Sequence, residues 1–187
     1  MTYNSFPLGQ VPEHLQRPEL RQLKEMGYKF NDPREVIDIF EKKVAAFAGS
    51  KFAVAVDCCS HGLFLCLKYR RITGSVVIPR HTYISVPMQI LHAGAHPSYR
   101  TIEWSGIYQL GETGIFDGAV RWTKDMYLGT GALQVVSFQY KKIIPIGRGG
   151  AILTDNRNAR ESLKLMSYDG RDLKVPYDKP WHIRCMG

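Results

Sequence analysis

Short, continuous apolar runs constrain this chain more than any other feature. Phe52-Ala53-Val54-Ala55-Val56 is apolar throughout. It is too short for a globular helix and lacks the polar alternation of a half-solvated strand, so it reads as a strand covered on both faces. Val76-Val77-Ile78-Pro79, Ile115-Phe116-Asp117, Leu133 to Phe138 and Gly150 to Thr154 read the same way. Segments of helical period lie among them. Ile37, Phe40, Val44 and Phe47 recur at helical spacing, with Asp32, Pro33 and Glu35 as start signals and Gly49 as the stop. Further helices are expected over Ser60 to Tyr69, Ser85 to His92 (broken by Gly94-Ala95-His96-Pro97) and Asn156 to Tyr168. Strands alternating with helices predict an α/β fold: a mainly parallel central sheet flanked by helices. Residues 1–30 are polar and carry Pro7, Pro12 and Pro18, so they read as an N-terminal arm with a short helix near Pro18–Glu25. Residues 31–187 then form the α/β domain.

Composition removes several function classes. Apolar types make up 44% and charged types 22% of the 187 residues, which excludes a wholly disordered chain. No apolar run approaches the roughly 18 residues of a membrane helix. The start Met1-Thr2-Tyr3-Asn4-Ser5 lacks a basic and then apolar stretch, so a secretory leader is not expected. Cys58, Cys59, Cys66 and Cys185 form no C-x-x-C pair and predict reduced thiols in a cytoplasmic protein, with no metal site. The net charge of +8 is scattered. Tyr69-Arg70-Arg71 and Lys141-Lys142 form no stripe with interleaved aromatics, so the charge predicts attraction of anionic ligands, not a nucleic-acid interface.

Ligands of open α/β sheets gather at the carboxyl ends of strands, and four segments fit that position. Asp57-Cys58-Cys59-Ser60-His61-Gly62 follows a strand and opens a helix. A turn of this kind offers backbone N–H groups and a hydroxyl to a phosphate, although taken alone it reads better as a plain Ser60 cap. Pro79-Arg80-His81-Thr82-Tyr83 places a tyrosine just past a strand, where it can stack on a flat ring or simply pack. Asp117 closes a strand inside the crevice, either as a functional carboxylate or as a helix cap or the partner of Arg121. The fourth segment runs from Ser137-Phe138-Gln139-Tyr140-Lys141-Lys142 to Gly147-Arg148-Gly149-Gly150. It delivers a serine and then lysines among aromatic and aliphatic neighbours, either the setting of a Schiff-base amine or an exposed lysine pair near a hairpin.

At this fourth segment the chain resembles the DegT–StrS family of sugar-nucleotide aminotransferases, fold-type I enzymes that use pyridoxal phosphate. The family pattern Ser-Phe-His-x-x-Lys, four further residues, then Gly-Glu-Gly-Gly falls in register with Ser137, Phe138, Lys142, Gly147, Gly149 and Gly150. The Gly-Thr turn overlies Cys59-Ser60, Pro-x-x-Thr-Phe/Tyr overlies Pro79–Tyr83, and strand-Asp-x-Ala overlies Phe116–Ala119. Departures are Cys59 for the glycine, Gln139 for the histidine, Arg148 for the glutamate and Val120 for a polar residue. The stretch between Ile102 and Asp117 is also shorter, by roughly a crossover of a dozen or more residues. The resemblance implies the large-domain core of a fold-type I aminotransferase, reduced or truncated, without the C-terminal domain toward which Arg171, Lys174 and Trp181 to Arg184 would lead. It implies Lys142 as the aldehyde-binding and proton-moving residue and Asp117 as the partner of the pyridine nitrogen. Tyr83 would lie on the ring, and Cys59, Ser60 and Ser137 would surround the phosphate. It further implies an amino-acid donor (glutamate or glutamine), a keto-sugar nucleotide acceptor and a homodimer. The alternatives are a reduced pyridoxal-phosphate-binding homologue with weak or different activity, and a non-catalytic partner subunit.

Overall fold

A computed structural model describes residues 13–15, 17–29, 35–129, 131–168, 170, 172 and 175. The expected cap at Asp32 and Pro33, and the tail residues Arg171, Lys174, Trp181 to Arg184 and Cys185, lie outside them. The chain divides into two compact units, 1–39 and 40–187. In the first, a 3-10 turn at Glu13–Leu15 precedes helix α1 (Pro18–Glu25). Pro18 occupies an opening position, where a missing N–H costs nothing. No residue of α1 is buried.

Helix α2 (Glu35–Ala48) enters the second unit at Phe40 and ends at Gly49, whose φ of +77° suits a residue without Cβ. Then follow β1 (Phe52–Val56), α3 (Cys59–Tyr69), β2 (Gly74–Pro79), α4 (Ser85–His92), β3 (Ala95–Arg100), β4 (Tyr108–Gln109), β5 (Ile115–Asp117), β6 (Leu133–Ser137), β7 (Gly150–Thr154) and α5 (Arg157–Met166). The main sheet has the order β1-β7-β6-β5-β4, and β2 and β3 form a separate parallel pair.

The α/β class holds, but the main sheet is not mainly parallel. Only β5 and β6 pair in parallel there; β7 runs against both of its neighbours and β4 runs against β5. The cause is connectivity. β4–β5 and β6–β7 are joined by loops without a helix, and such connections return the chain antiparallel. In the β4–β5 turn, Leu110 N–H donates to Ile115 O (2.9 Å), and the Thr113 hydroxyl donates to Leu110 O (2.6 Å). Gly111 N–H then donates to Val77 O of β2 (2.8 Å).

Strand residues alternate between two apolar layers. Val54, Leu133, Val135 and Ile152 face α3, α4 and α5 through Leu63, Ile90 and Leu163. Ala53, Val136, Ala151 and Leu153 face α2 through Val44, Ala45 and Ala48, joined by Met126 and Phe138. Gly62 lets α3 lie on the sheet: a Cβ there would stand 2.7 Å from Val135 Cγ1. Glu41 crosses the second layer as a buried ion pair with Lys164 (2.7 Å), and also accepts from Ala55 N–H (2.8 Å).

Candidate functional site

The strand directions bring β1, β5 and β6 to a common edge, so Val56, Asp117 and Ser137 end side by side. Helix α3 starts immediately after β1. Its cap is Cys58, whose Sγ accepts from His61 N–H (3.4 Å); Ser60, the expected cap, lies inside the first turn. Ser60 is instead turned sideways, with its hydroxyl 2.6 Å from that of Ser85 at the start of α4. The opening turn of α3 carries backbone N–H groups without carbonyl partners inside the helix.

Gly150 sets how closely this turn approaches the sheet. A Cβ at Gly150 would lie 2.8 Å from Cys59 N, 2.8 Å from Val136 O and 3.0 Å from Cys58 C, all backbone atoms. Ser137 is the register partner of Gly150, so its side chain ends beside the same turn. The Ser137 hydroxyl accepts from Gln139 N–H (3.4 Å).

Asp117 is buried at 7% exposure on the floor of this edge. Its Oδ1 accepts from Ala119 N–H (2.9 Å) and faces the Cys59 thiol (3.9 Å); its Oδ2 accepts from the Tyr108 hydroxyl (3.0 Å). These partners, not Arg121, occupy the carboxylate. Burial pushes its pKa up. The Ala119 N–H, the Tyr108 hydroxyl, the Lys142 ammonium and the Cys59 thiol pull it back without cancelling that rise. Burial and the Asp117 charge together raise the Cys59 thiol well above its usual range, with Lys142 opposing them.

The two adjacent lysines point differently. Lys141 is exposed and lies over the Tyr140 ring, with Nζ 5.4 Å from its centre. Lys142 is half-buried, and its charge acts on both Asp117 and Cys59. The turn that aims them is held by Lys142 N–H donating to Gln139 O (2.8 Å) and Tyr140 N–H donating to Gly147 O (3.1 Å). Gln139, at the family's histidine position, donates no side-chain bond to the carboxylate; its Oε1 accepts from Lys141 N–H (3.0 Å).

Tyr83 stands at the rim, 72% exposed. His61, at the start of α3, donates to Asp57 (2.6 Å), and Arg148 approaches the other oxygen of Asp57 (3.4 Å). Partial burial opposes the Asp57 charge, yet His61 and Arg148 hold its carboxyl below the usual range. Lys142, Asp117 and Cys59 thus act on one another electrostatically, and Ser137 ends at the same sheet edge as Asp117. Ser60 lies in the first turn of α3 against Ser85, and Tyr83 lies one residue from Thr82, which bonds Tyr108. Tyr108 lies outside the four candidate segments, and Thr82 lies inside the second, where the sequence gives it no role of its own. The usable signal was the hairpin pattern Tyr108 to Asp117, two short apolar segments around Gly111-Glu112-Thr113-Gly114. Among the described residues no group of three or more His, Cys, Asp or Glu could hold a metal ion, and no helix is long and apolar enough to cross a membrane.

Residues 17–106 match the sequence model of the DegT/DnrJ/EryC1/StrS aminotransferase family, so the resemblance carried by the motifs holds over that segment. The spore coat polysaccharide biosynthesis protein SpsC of Bacillus subtilis (strain 168) is 37% identical over 87 residues, 46% of this chain and 22% of SpsC. Sugar aminotransferase CalS13 from Micromonospora echinospora superposes with a TM-score of 0.68 at 16% identity, over 97% of this chain and 63% of CalS13. DesI, solved in the presence of its TDP-sugar product, gives 0.62 at 21% identity, over 83% of this chain and 50% of DesI. At these identities the two solved structures carry the fold. The chain spans less than two thirds of each of these relatives.

Proposed function

We propose that this chain, similar over residues 17–106 to the DegT/DnrJ/EryC1/StrS family, forms the cofactor-binding part of a pyridoxal-phosphate-dependent aminotransferase. The reaction moves an amino group from an amino acid, glutamate or glutamine, to a keto-sugar nucleotide. The observation that carries this reading is Lys142, half-buried and electrostatically coupled to the buried Asp117. The donor set fits the cofactor: an amine for the aldehyde, a carboxylate for the ring nitrogen, and hydroxyls with helix N–H groups for the phosphate. The close approach of Gly150 to Cys59 N shapes the wall of that phosphate cradle.

Bound pyridoxal phosphate supplies an electron sink for the carbon that loses its proton. Lys142 holds the aldehyde and then, as free amine, moves a proton at Nζ as general base and acid. Asp117 keeps the ring nitrogen protonated by offering a negative charge on a floor where water is excluded. Ser60, Ser137 and the first turn of α3 hold the phosphate dianion at a positive helix end. Tyr83 covers the ring from the rim. Exposed apolar Tyr83, Ile84, Tyr140, Ile143 and Ile146 lie beside these residues, which supports closure of the site by a second copy. DesI was solved with a TDP-sugar, which supports the acceptor class. Free Cys58, Cys59 and Cys66 suit a reducing compartment such as the cytoplasm.

The test is spectroscopic. Wild type mixed with pyridoxal phosphate should develop the visible band of lysine-bound cofactor, Lys141→Ala should keep it, and Lys142→Ala should lose it. A wild type without the band, or a Lys142→Ala variant that retains it, rejects the reading. The second reading is a pyridoxal-phosphate-binding homologue with weak or different activity, or a non-catalytic partner subunit. A visible band that glutamate and glutamine leave unchanged supports that second reading.

A further inference from the structure

We propose that Tyr108 is the positioning residue of the Asp117 carboxylate, fixing its orientation and holding it ionised through a relay that begins at Thr82. The β4–β5 hairpin makes Tyr108 the register partner of Asp117. The Tyr108 ring is 7% exposed and packs on Trp104, with centroids 4.8 Å apart. Trp104 is itself held by its Nε1–H donating to His81 O (2.9 Å). The Tyr108 hydroxyl touches Asp117 Oδ2 at 3.0 Å and also the Thr82 hydroxyl.

The direction of this relay follows from proton counting. An ionised carboxylate only accepts, so the single Tyr108 hydroxyl proton goes to Asp117. Thr82 must then donate to the Tyr108 oxygen. Successive bonds of this kind polarise one another, which strengthens the bond that ends on the charge. A carboxylate has about four lone-pair sites. Ala119 N–H and the Cys59 thiol use Oδ1 and Tyr108 uses one site on Oδ2, which leaves a site on Oδ2 for a cationic ring nitrogen. The relay also ties the carboxylate to the loop that carries Tyr83, the residue after Thr82.

This inference rests on the proposed cofactor reading for its purpose, but it can be tested without cofactor. Carbon-13 NMR of aspartate-labelled protein, free of cofactor, follows the titration of the Asp117 carboxyl. Tyr108→Phe keeps the ring and removes the donor, so the proton affinity of Asp117 should rise about tenfold, the effect of one hydrogen bond to a charged group. Thr82→Val leaves Tyr108 intact and should shift the titration in the same direction by less. It also serves as the second variant should Tyr108→Phe fold poorly. An Asp117 titration unchanged in both variants overturns the inference. In cofactor titrations Tyr108→Phe should bind pyridoxal phosphate about tenfold more weakly, and unchanged affinity overturns the link to the cofactor. Wild type that binds no cofactor while the NMR shift persists rejects the proposed function and leaves Tyr108 as the determinant of Asp117 ionisation.

Discussion

Gly150→Ala is the perturbation that best isolates the geometry of the crevice. The new Cβ would sit 2.8 Å from Cys59 N and from Val136 O, where ordinary contact begins at 3.4 Å. Relief therefore requires roughly 0.6 Å of movement, the difference between those two distances. Both obstructing atoms are backbone, one on α3 and one on β6, so no side chain can swing aside. Overpacking of this kind costs about 1–3 kcal/mol. The displaced part is the opening turn of α3, which carries Cys59 and Ser60. Two effects should therefore appear together. Urea unfolding should show a midpoint lowered at constant slope, and pyridoxal phosphate should bind more weakly to the folded variant. Gly129→Ala is the control: its site is open to 4 Å, and only its φ of +75° penalises a side chain. That penalty is about 1–2 kcal/mol, and cofactor affinity there should stay at the wild-type value. Gly150→Ala with wild-type cofactor affinity would refute the argument that this contact shapes the phosphate cradle.

Asp117→Asn tests the charge on the crevice floor. The folded-state pKa of Asp117 is raised, so its stabilising contribution is present in acid and lost as pH rises through that pKa. The neutral amide should make the cofactor-free protein more stable than wild type near neutral pH, with the gap closing in acid. Urea titrations at several pH values read this directly, and a variant less stable at neutral pH contradicts the sign. The same substitution should slow turnover by orders of magnitude while leaving the visible band of bound cofactor. Glu41→Ala removes the buried carboxylate that accepts from the Lys164 ammonium (2.7 Å) and from Ala55 N–H (2.8 Å). Loss of about 1–3 kcal/mol is expected from denaturation, the cost of removing the acceptor of hydrogen-bond donors held away from water, and an unchanged midpoint would assign the pair a surface character.

The apolar runs were legible because burial dictates them: Phe52–Val56, Ile115–Asp117 and Gly150–Thr154 are strands at the expected residues. β3 was hidden by Pro97, which reads as a breaker. It is tolerated there because, among the described residues, β3 pairs with β2 alone and has an open edge for the missing N–H. The direction of pairing was not legible. Apolar runs mark burial on both faces, and parallel and antiparallel central strands satisfy that equally. The choice of Lys142 over Lys141 comes from motif register, a relation between segments that the local sequence around two adjacent lysines does not carry. The two differ in burial, Lys141 being exposed over the Tyr140 ring and Lys142 half-buried. Cys59 looked like a departure from the family glycine, yet its thiol faces the Asp117 carboxylate. Tyr108 escaped notice because its role depends on one cross-strand pair, a relation that no local spacing encodes.

Strand β7 separates β1 from the rest of the main sheet, and all five of its residues are buried. Its register partner in β1 lies about a hundred positions earlier, Phe52 opposite Thr154. During synthesis β1 must therefore wait, with an unpaired edge, until nearly the whole second unit has emerged. Pairing across so long a span is slow to nucleate, and the waiting edge can recruit another nascent chain. A chain ended before Gly150 would leave β1 as a lone strand with no seam to the β6-β5-β4 sheet.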